Sequence, residues 1–133
     1  MRIDHVAIAV NNVEEALKNY KNILNIDKIE VEEVPNEKVR VVMLKLDDTK
    51  IELMEPMAED SPISKFLNDK GEGIHHIAIT ADDIETDVTR AEQNGVRFLG
   101  GIRSGSYGRK ITFIHPKSLN GVLTELCQAH SES

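Results

Sequence analysis

The chain has 133 residues, a formal charge of −7 and 40% hydrophobic residues, but only 4% aromatic residues and no Trp. That suits one compact domain with a core of Ile, Val, Leu and Ala, and the acidic balance argues against a nucleic-acid partner. No apolar run nears the roughly 20 residues of a membrane span; the single cysteine, Cys127, excludes a disulfide framework and a CxxC metal site; and a strand-like start at Ile3 leaves no room for a signal or transit peptide, so a reduced, cytoplasmic protein is expected.

The first element is a strand over Ile3–Val10, read from IDHVAIAV. Asn12 then offers a helix cap before an acidic first turn, Glu14 and Glu15. Val13, Ala16, Leu17, Tyr20, Ile23 and Leu24 follow at helical spacing, and Asn25 is the expected stop. Strand-like runs come next at Lys28–Val34, Val39–Leu46 and Lys50–Met54, with a turn at Asp47-Asp48. Ser61-Pro62, a cap followed by proline at the first helical position, opens a short helix to Lys70.

The order then repeats. Ile74-His75-His76-Ile77-Ala78-Ile79-Thr80-Ala81 reads against the first strand at an offset of 71 residues, Ile3 to Ile74. Asp82-Asp83-Ile84-Glu85 repeats the cap, Ile84, Val88 and Ala91 give a weaker helical stripe, and Gly95 stops it. Strands are expected at Val96–Leu99, Lys110–His115 and Val122–Cys127, with a turn in 118–121. Each half reads β-α-β-β-β: module one over 1–54, a connector over 55–73, module two over 74–128, and a tail over 129–133 that contains His130. One such unit leaves a sheet face bare. Two together imply an α+β fold with a curved, cup-shaped mixed sheet and helices outside. Strand parity puts Val6, Ile8 and Val10 on one face and His5, Ala7 and Ala9 on the other; Ile77 and Ile79 oppose His76, Ala78 and Thr80. The small residues on the histidine face point to a cavity rather than a packed core.

The last strands complete the pattern. Ile51-Glu52-Leu53 and Thr124-Glu125-Leu126 align at an offset of 73 residues, Ile51 to Thr124. A carboxylate buried between apolar neighbours needs a partner or a metal. A lone strand His is usually a hydrogen-bonded core residue and a lone strand Glu usually faces solvent. The repeated His–Glu, His–Glu order outweighs those readings. A pseudo-twofold would gather His5, Glu52, His76 and Glu125 into a mixed N/O site for a divalent cation, neutral overall, with two open positions if octahedral. His75 points away from His76, His115 reads as a loop residue, and Lys38, Arg40, Arg103, Arg109, Lys110 and Lys117 are the cations that could meet an anionic small molecule.

These residues resemble the vicinal oxygen chelate superfamily and, within it, the methylmalonyl-CoA epimerase family. The resemblance spans Ile3 to Gln128 and rests on IDHVAIAV, TKIELMEP, DSPISKFL, GEGIHHIAI and the run from Gly108 through FIHPKSLNGVLTEL. The adjacent His75-His76 and the HPK…GVL.EL run are its specific parts. It implies His5, His76 and Glu125 as metal ligands, with Glu52 at a fourth position that the family fills with Gln or Glu. It also implies Co²⁺ or a similar ion (Mn²⁺, Ni²⁺, Zn²⁺ or Mg²⁺), an acyl-CoA substrate and a homodimer. The implied reaction removes and returns the C2 proton of methylmalonyl-CoA through a metal-stabilised enolate, with Glu125 as one base. Arg103, Arg109, Lys110 and Lys117 are candidates for the CoA phosphates. Some bacterial epimerases carry a second-strand glutamate as another base; an ungapped reading puts that position near Val41, and Glu37 is the nearest upstream acid. Glyoxalase I, which can use two His and two Glu ligands, is the enzymatic alternative, a dioxygenase is less favoured, and a ligand-sequestering protein of the same fold is the non-enzymatic one.

Overall fold

The alternating apolar pattern of the first half folds as strand, helix and three strands, and the same order returns in the second half. A computed structural model describes residues 1–129; His130 and the rest of the expected tail lie outside the described residues. The chain divides into two units, one of His5–His75 and one that joins Met1–Asp4 to the residues from His76 onward. The divisions fall inside the first strand of each half, between Asp4 and His5 and between His75 and His76.

The first half contributes β1 (Ile3–Ala9), α1 (Val13–Ile23), β2 (Ile29–Val34), β3 (Val39–Lys45) and β4 (Lys50–Pro56), with a 3₁₀ turn at Pro35–Glu37 and the connecting helix α2 (Pro62–Lys70) after them. The strands lie in the order β2-β3-β4-β1. β1 runs parallel to β4, and β3 is antiparallel to both β2 and β4. The parallel pair needs a crossover, and the run from α1 to β3 supplies it. Asn12 caps α1 by accepting from the Glu15 N–H at 3.0 Å. Val13, Ala16, Leu17 and Tyr20 pack on Val10, Val42, Leu44 and Leu53, so α1 covers one face of this sheet. The helix stops one residue before the expected Asn25: Leu24 turns extended, its N–H still bonded to Tyr20 O. Ile23, the last helical residue, and Leu24 are exposed rather than packed in the apolar stripe.

α2 departs from the expected layout. Ser61 caps it, accepting from Ile63 N–H at 3.2 Å, and Pro62 opens it as read from the sequence. Its apolar residues Ile63, Phe66 and Leu67 pack with Ala7, Ala9, Val41, Met43 and Met54, on the sheet face opposite α1. That is the histidine face. The alanines there accommodate a helix rather than line a cavity, and both are fully buried.

The second half contributes β5 (Gly73–Ala81), α3 (Ile84–Gln93), β6 (Phe98–Ser104), β7 (Lys110–Ile114) and β8 (Thr124–Gln128). Its strand order is β5-β8-β7-β6, with β5 parallel to β8 and the other pairs antiparallel. Asp83 caps α3 through the Thr86 N–H, and Gly95 ends the turn beyond it at φ 84°. β6 runs on past the expected Leu99 to Ser104. The Gly100-Gly101 pair lies in an irregular stretch of this strand, with Gly100 at φ 80° and the register with β7 shifting between Leu99 and Arg103. β8 starts two residues after Val122, whose N–H is held by Leu119 O in the preceding turn.

Candidate metal centre

Within the first unit, register places the ligand candidates. Glu52 in β4 stands opposite Ala7 in β1 and Met43 in β3. Directly paired residues share a face, so Glu52 lies on the histidine face, between Ile51 and Leu53 that point the other way. His5 Nε2 is 3.5 Å from Glu52 Oε2, and both side chains are only 6% exposed.

The second unit repeats the arrangement with its own residues. Glu125 in β8 stands opposite Ala78 in β5 and Phe113 in β7. His76 Nε2 lies 3.2 Å from Glu125 Oε1, again with both side chains buried. The His76 ring packs edge-on against Phe113 at a centroid distance of 5.1 Å, and the Arg103 guanidinium covers the same phenyl ring at 5.3 Å. Phe113 is thus the counterpart of Met43, and Ala78 the counterpart of Ala7.

Each pair fits two adjacent positions of a divalent-metal shell. An imidazole nitrogen and a carboxylate oxygen, each about 2.1 Å from one ion and at right angles about it, lie about 3 Å apart. The two N···O separations are close to that spacing. Nitrogen and oxygen donors together suit borderline and hard divalent ions.

A second repeated feature links each glutamate to the helix of its own half. Three residues after Glu52, the Glu55 side chain accepts from the Val13 N–H, the first residue of α1, at 3.3 Å. Three residues after Glu125, the Gln128 side chain accepts from the Ile84 N–H, the first residue of α3, at 2.9 Å. The strand that carries each glutamate therefore also holds a helix N-terminus, where orphan N–H groups need acceptors. The signal was present in the sequence at the same offset of 73 residues, Glu55 to Gln128.

The other candidates are sorted by their contacts. His75 does not join His76; its ring meets the edge of Phe66 at 5.0 Å. His115 caps a 3₁₀ turn, its Nδ1 accepting from the Lys117 N–H at 3.0 Å. Arg109 leaves the set of phosphate candidates, because its guanidinium is turned inward to Asp4 at 3.1 Å and is 11% exposed. Lys110 pairs with Glu85 at 2.6 Å at the surface, and this bond holds the Glu85 carboxyl below its usual range. Lys38 pairs with Asp60 and Arg40 with Glu55. Arg103 donates to the carbonyls of Leu99 and Gly101. Lys117 is exposed. Val41 is buried in the cluster under α2, so no carboxylate occupies that position. Its partner across the strands is Glu32 in β2, on the same face and half-buried, whereas Glu37 sits in the turn between β2 and β3.

Comparison with known proteins places these pairs in context. A family model described as the Glyoxalase/Bleomycin resistance protein/Dioxygenase superfamily matches residues 4–113. The mitochondrial methylmalonyl-CoA epimerase of Homo sapiens is 42% identical over 96% of this chain and 74% of its own length. An ethylmalonyl-CoA/methylmalonyl-CoA epimerase of Cereibacter sphaeroides is 41% identical over 96% of this chain and 97% of its own. Among solved structures, a variant Streptomyces coelicolor methylmalonyl-CoA epimerase in complex with 2-nitronate-propionyl-CoA superposes with a TM-score of 0.94 at 37% identity, covering 98% of this chain and 99% of that one.

The Gln128 contact is testable in isolation. Replacing Gln128 with Ala strips an acceptor from the N–H of Ile84, a fully buried residue. We expect Gln128→Ala to lower stability by about 1 kcal/mol in urea titration. A change below about 0.3 kcal/mol, against that same scale, would show that the latch carries no weight.

Proposed function

The chain belongs to the glyoxalase/bleomycin resistance protein/dioxygenase superfamily, and from that premise we propose that it is a methylmalonyl-CoA epimerase, interconverting the 2R and 2S forms of its substrate. The observation that carries this reading is the pair of buried His–Glu contacts at equivalent register positions, in a chain similar along nearly its whole length to epimerases. Because that similarity runs through both halves, the glyoxalase I and ligand-sequestering alternatives are not favoured.

His5, Glu52, His76 and Glu125 are the proposed ligands of one divalent ion, Co²⁺ in the first instance. The bound ion would supply Lewis-acid stabilisation of the enolate that forms when the C2 proton leaves. The rest is work for side chains. Glu125 is the proposed base: as a carboxylate it can accept the C2 proton, and its burial keeps bulk water from competing for it. Inversion requires that a proton return on the opposite face, and a second carboxylate is the simplest carrier. Glu32, paired across the strands with Val41, and Glu37, in the turn four residues before it, are the two candidates. The cationic surface residues Arg103, Lys110 and Lys117 are retained as candidates for the CoA phosphates. A homodimer in the cytoplasm is part of the same proposal; no helix among the described residues is long and apolar enough to cross a membrane.

Removing one imidazole tests the ligand set. His5→Ala and His76→Ala are each expected to remain folded, to lose most of their Co²⁺ in metal analysis and to have no detectable epimerase activity. Stoichiometric metal in both variants would refute the assignment.

Glu125→Gln separates ligation from proton transfer. Gln keeps a carbonyl donor but cannot accept a proton as a carboxylate does. Epimerisation should fall by at least about 100-fold, the usual worth of a positioned general base, while metal content falls less. Undiminished turnover would leave Glu125 as a ligand only, and the same assay on Glu37→Gln and Glu32→Gln identifies the second carrier.

Light scattering at micromolar concentration is expected to give the mass of a dimer. A monomer across that range would remove the homodimer from the proposal.

A further inference from the structure

An ion pair with a buried carboxylate lies outside the His–Glu contacts, and the chemistry above does not use it. Arg109 Nη1 is 3.1 Å from Asp4 Oδ1; the Asp4 side chain is 1% exposed. The same guanidinium donates through Nε to the carbonyl of Gln128 at 2.9 Å and through Nη2 to Cys127 Sγ at 3.4 Å. Cys127 and Gln128 close β8, the strand that carries Glu125, and Asp4 is bonded directly to His5. One side chain therefore grips the strand of one proposed ligand and the residue next to another.

The local backbone is shaped to deliver that side chain. Arg109 follows a tight loop closed by the Gly105 N–H to Arg109 O bond at 2.8 Å. A Cβ on Gly105 would lie 2.8 Å from Ile111 Cδ1, closer than side chains tolerate, so only glycine fits this path without displacing Ile111. On the other side, Asp4 and His5 are consecutive, so their side chains leave opposite faces of β1, and both are buried. Arg2 is anchored two residues earlier by reciprocal bonds with Thr80, each 2.9 Å.

Stability alone is a poor reason for such a pair. Taking two charges out of water costs about as much as their attraction returns, and apolar residues of similar volume often serve as well. What an ion pair adds is a fixed geometry. We propose that Asp4 and Arg109 are positioning residues for the metal centre: they fix the backbone entering His5 against the strand that bears Glu125. This rests on the metal reading of the preceding subsection.

The test uses the full chain, Co²⁺ as probe, and two readouts that a merely stabilising contact would not move: the Co²⁺ dissociation constant by calorimetry and the visible absorption of the Co²⁺-loaded protein. Asp4→Asn keeps the shape and one acceptor; Arg109→Gln removes the charge. Each is expected to weaken Co²⁺ binding by about 10- to 100-fold, the usual effect of losing a group that orients a ligand, and to alter the absorption bands. The double exchange, Asp4→Arg with Arg109→Asp, should recover part of the affinity. Wild-type affinity and spectrum in both single variants would overturn the proposal, even if their thermal midpoints fell. An unfolded Asp4→Asn protein would overturn it equally, since the pair would then serve folding itself. Failure of the wild-type protein to bind Co²⁺ is a separate outcome that overturns the metal reading, and the inference with it.

Discussion

Burying Glu52 between Ile51 and Leu53, and Glu125 between Thr124 and Leu126, takes two carboxylates out of water. A carboxylate in that position is tolerable only beside a donor or a cation. In each half the compensating group is an imidazole at 3.2 to 3.5 Å. Under the proposed function, a divalent ion would answer the same demand more completely, by neutralising carboxylate charge and by giving the imidazole nitrogens a partner. The architecture around each glutamate can be understood as the means of holding it there.

Three devices do the holding. The parallel pairs β1–β4 and β5–β8 set an alanine opposite each glutamate, leaving room for its side chain. The neighbouring antiparallel strands set Met43 and Phe113 on its other side. Glu55 and Gln128 then tie each glutamate strand to a helix start, so that a shift of the strand would also break a helix cap. The two halves differ in what packs on their histidine faces. The first buries its histidine face under α2, through Ile63 and the aromatic ring of Phe66. In the second, the apolar cluster of Ala78, Ile111 and Cys127 is bordered by Phe113, which carries Arg103 over its ring.

Much of this could be read from the sequence, for a physical reason. Strand parity and helix capping are local, so the caps Asn12, Ser61 and Asp83 and the inward turn of His5 and His76 follow from residues within a few positions. The internal repeat then converts local signals into a long-range one, which is why the His–Glu pairs could be matched across the chain. Features without that help were missed. The amphipathic stripe of α2 shows that one side of the helix is apolar, but it does not say which sheet face receives it. Gly100-Gly101 follows the expected strand end at Leu99, and only the pairing of β6 with β7 on both sides of it shows that the strand continues. Arg109 looks like any surface cation, because its partner Asp4 is 105 residues away in sequence. The Glu55–Gln128 correspondence was hidden by a change of residue type, although both side chains present the same acceptor oxygen.

In the proposed function, the paired histidines and glutamates hold a divalent ion which makes the C2 proton of methylmalonyl-CoA removable. Proton NMR of methylmalonyl-CoA in D₂O, followed with Co²⁺-loaded and with metal-stripped protein, addresses it directly. The C2 proton signal is expected to decay under the loaded protein as deuterium enters, with the epimers interconverting, and both processes are expected to stop on stripping and return on readdition of Co²⁺. Equal exchange by the stripped protein, or no exchange by the loaded one, would contradict it.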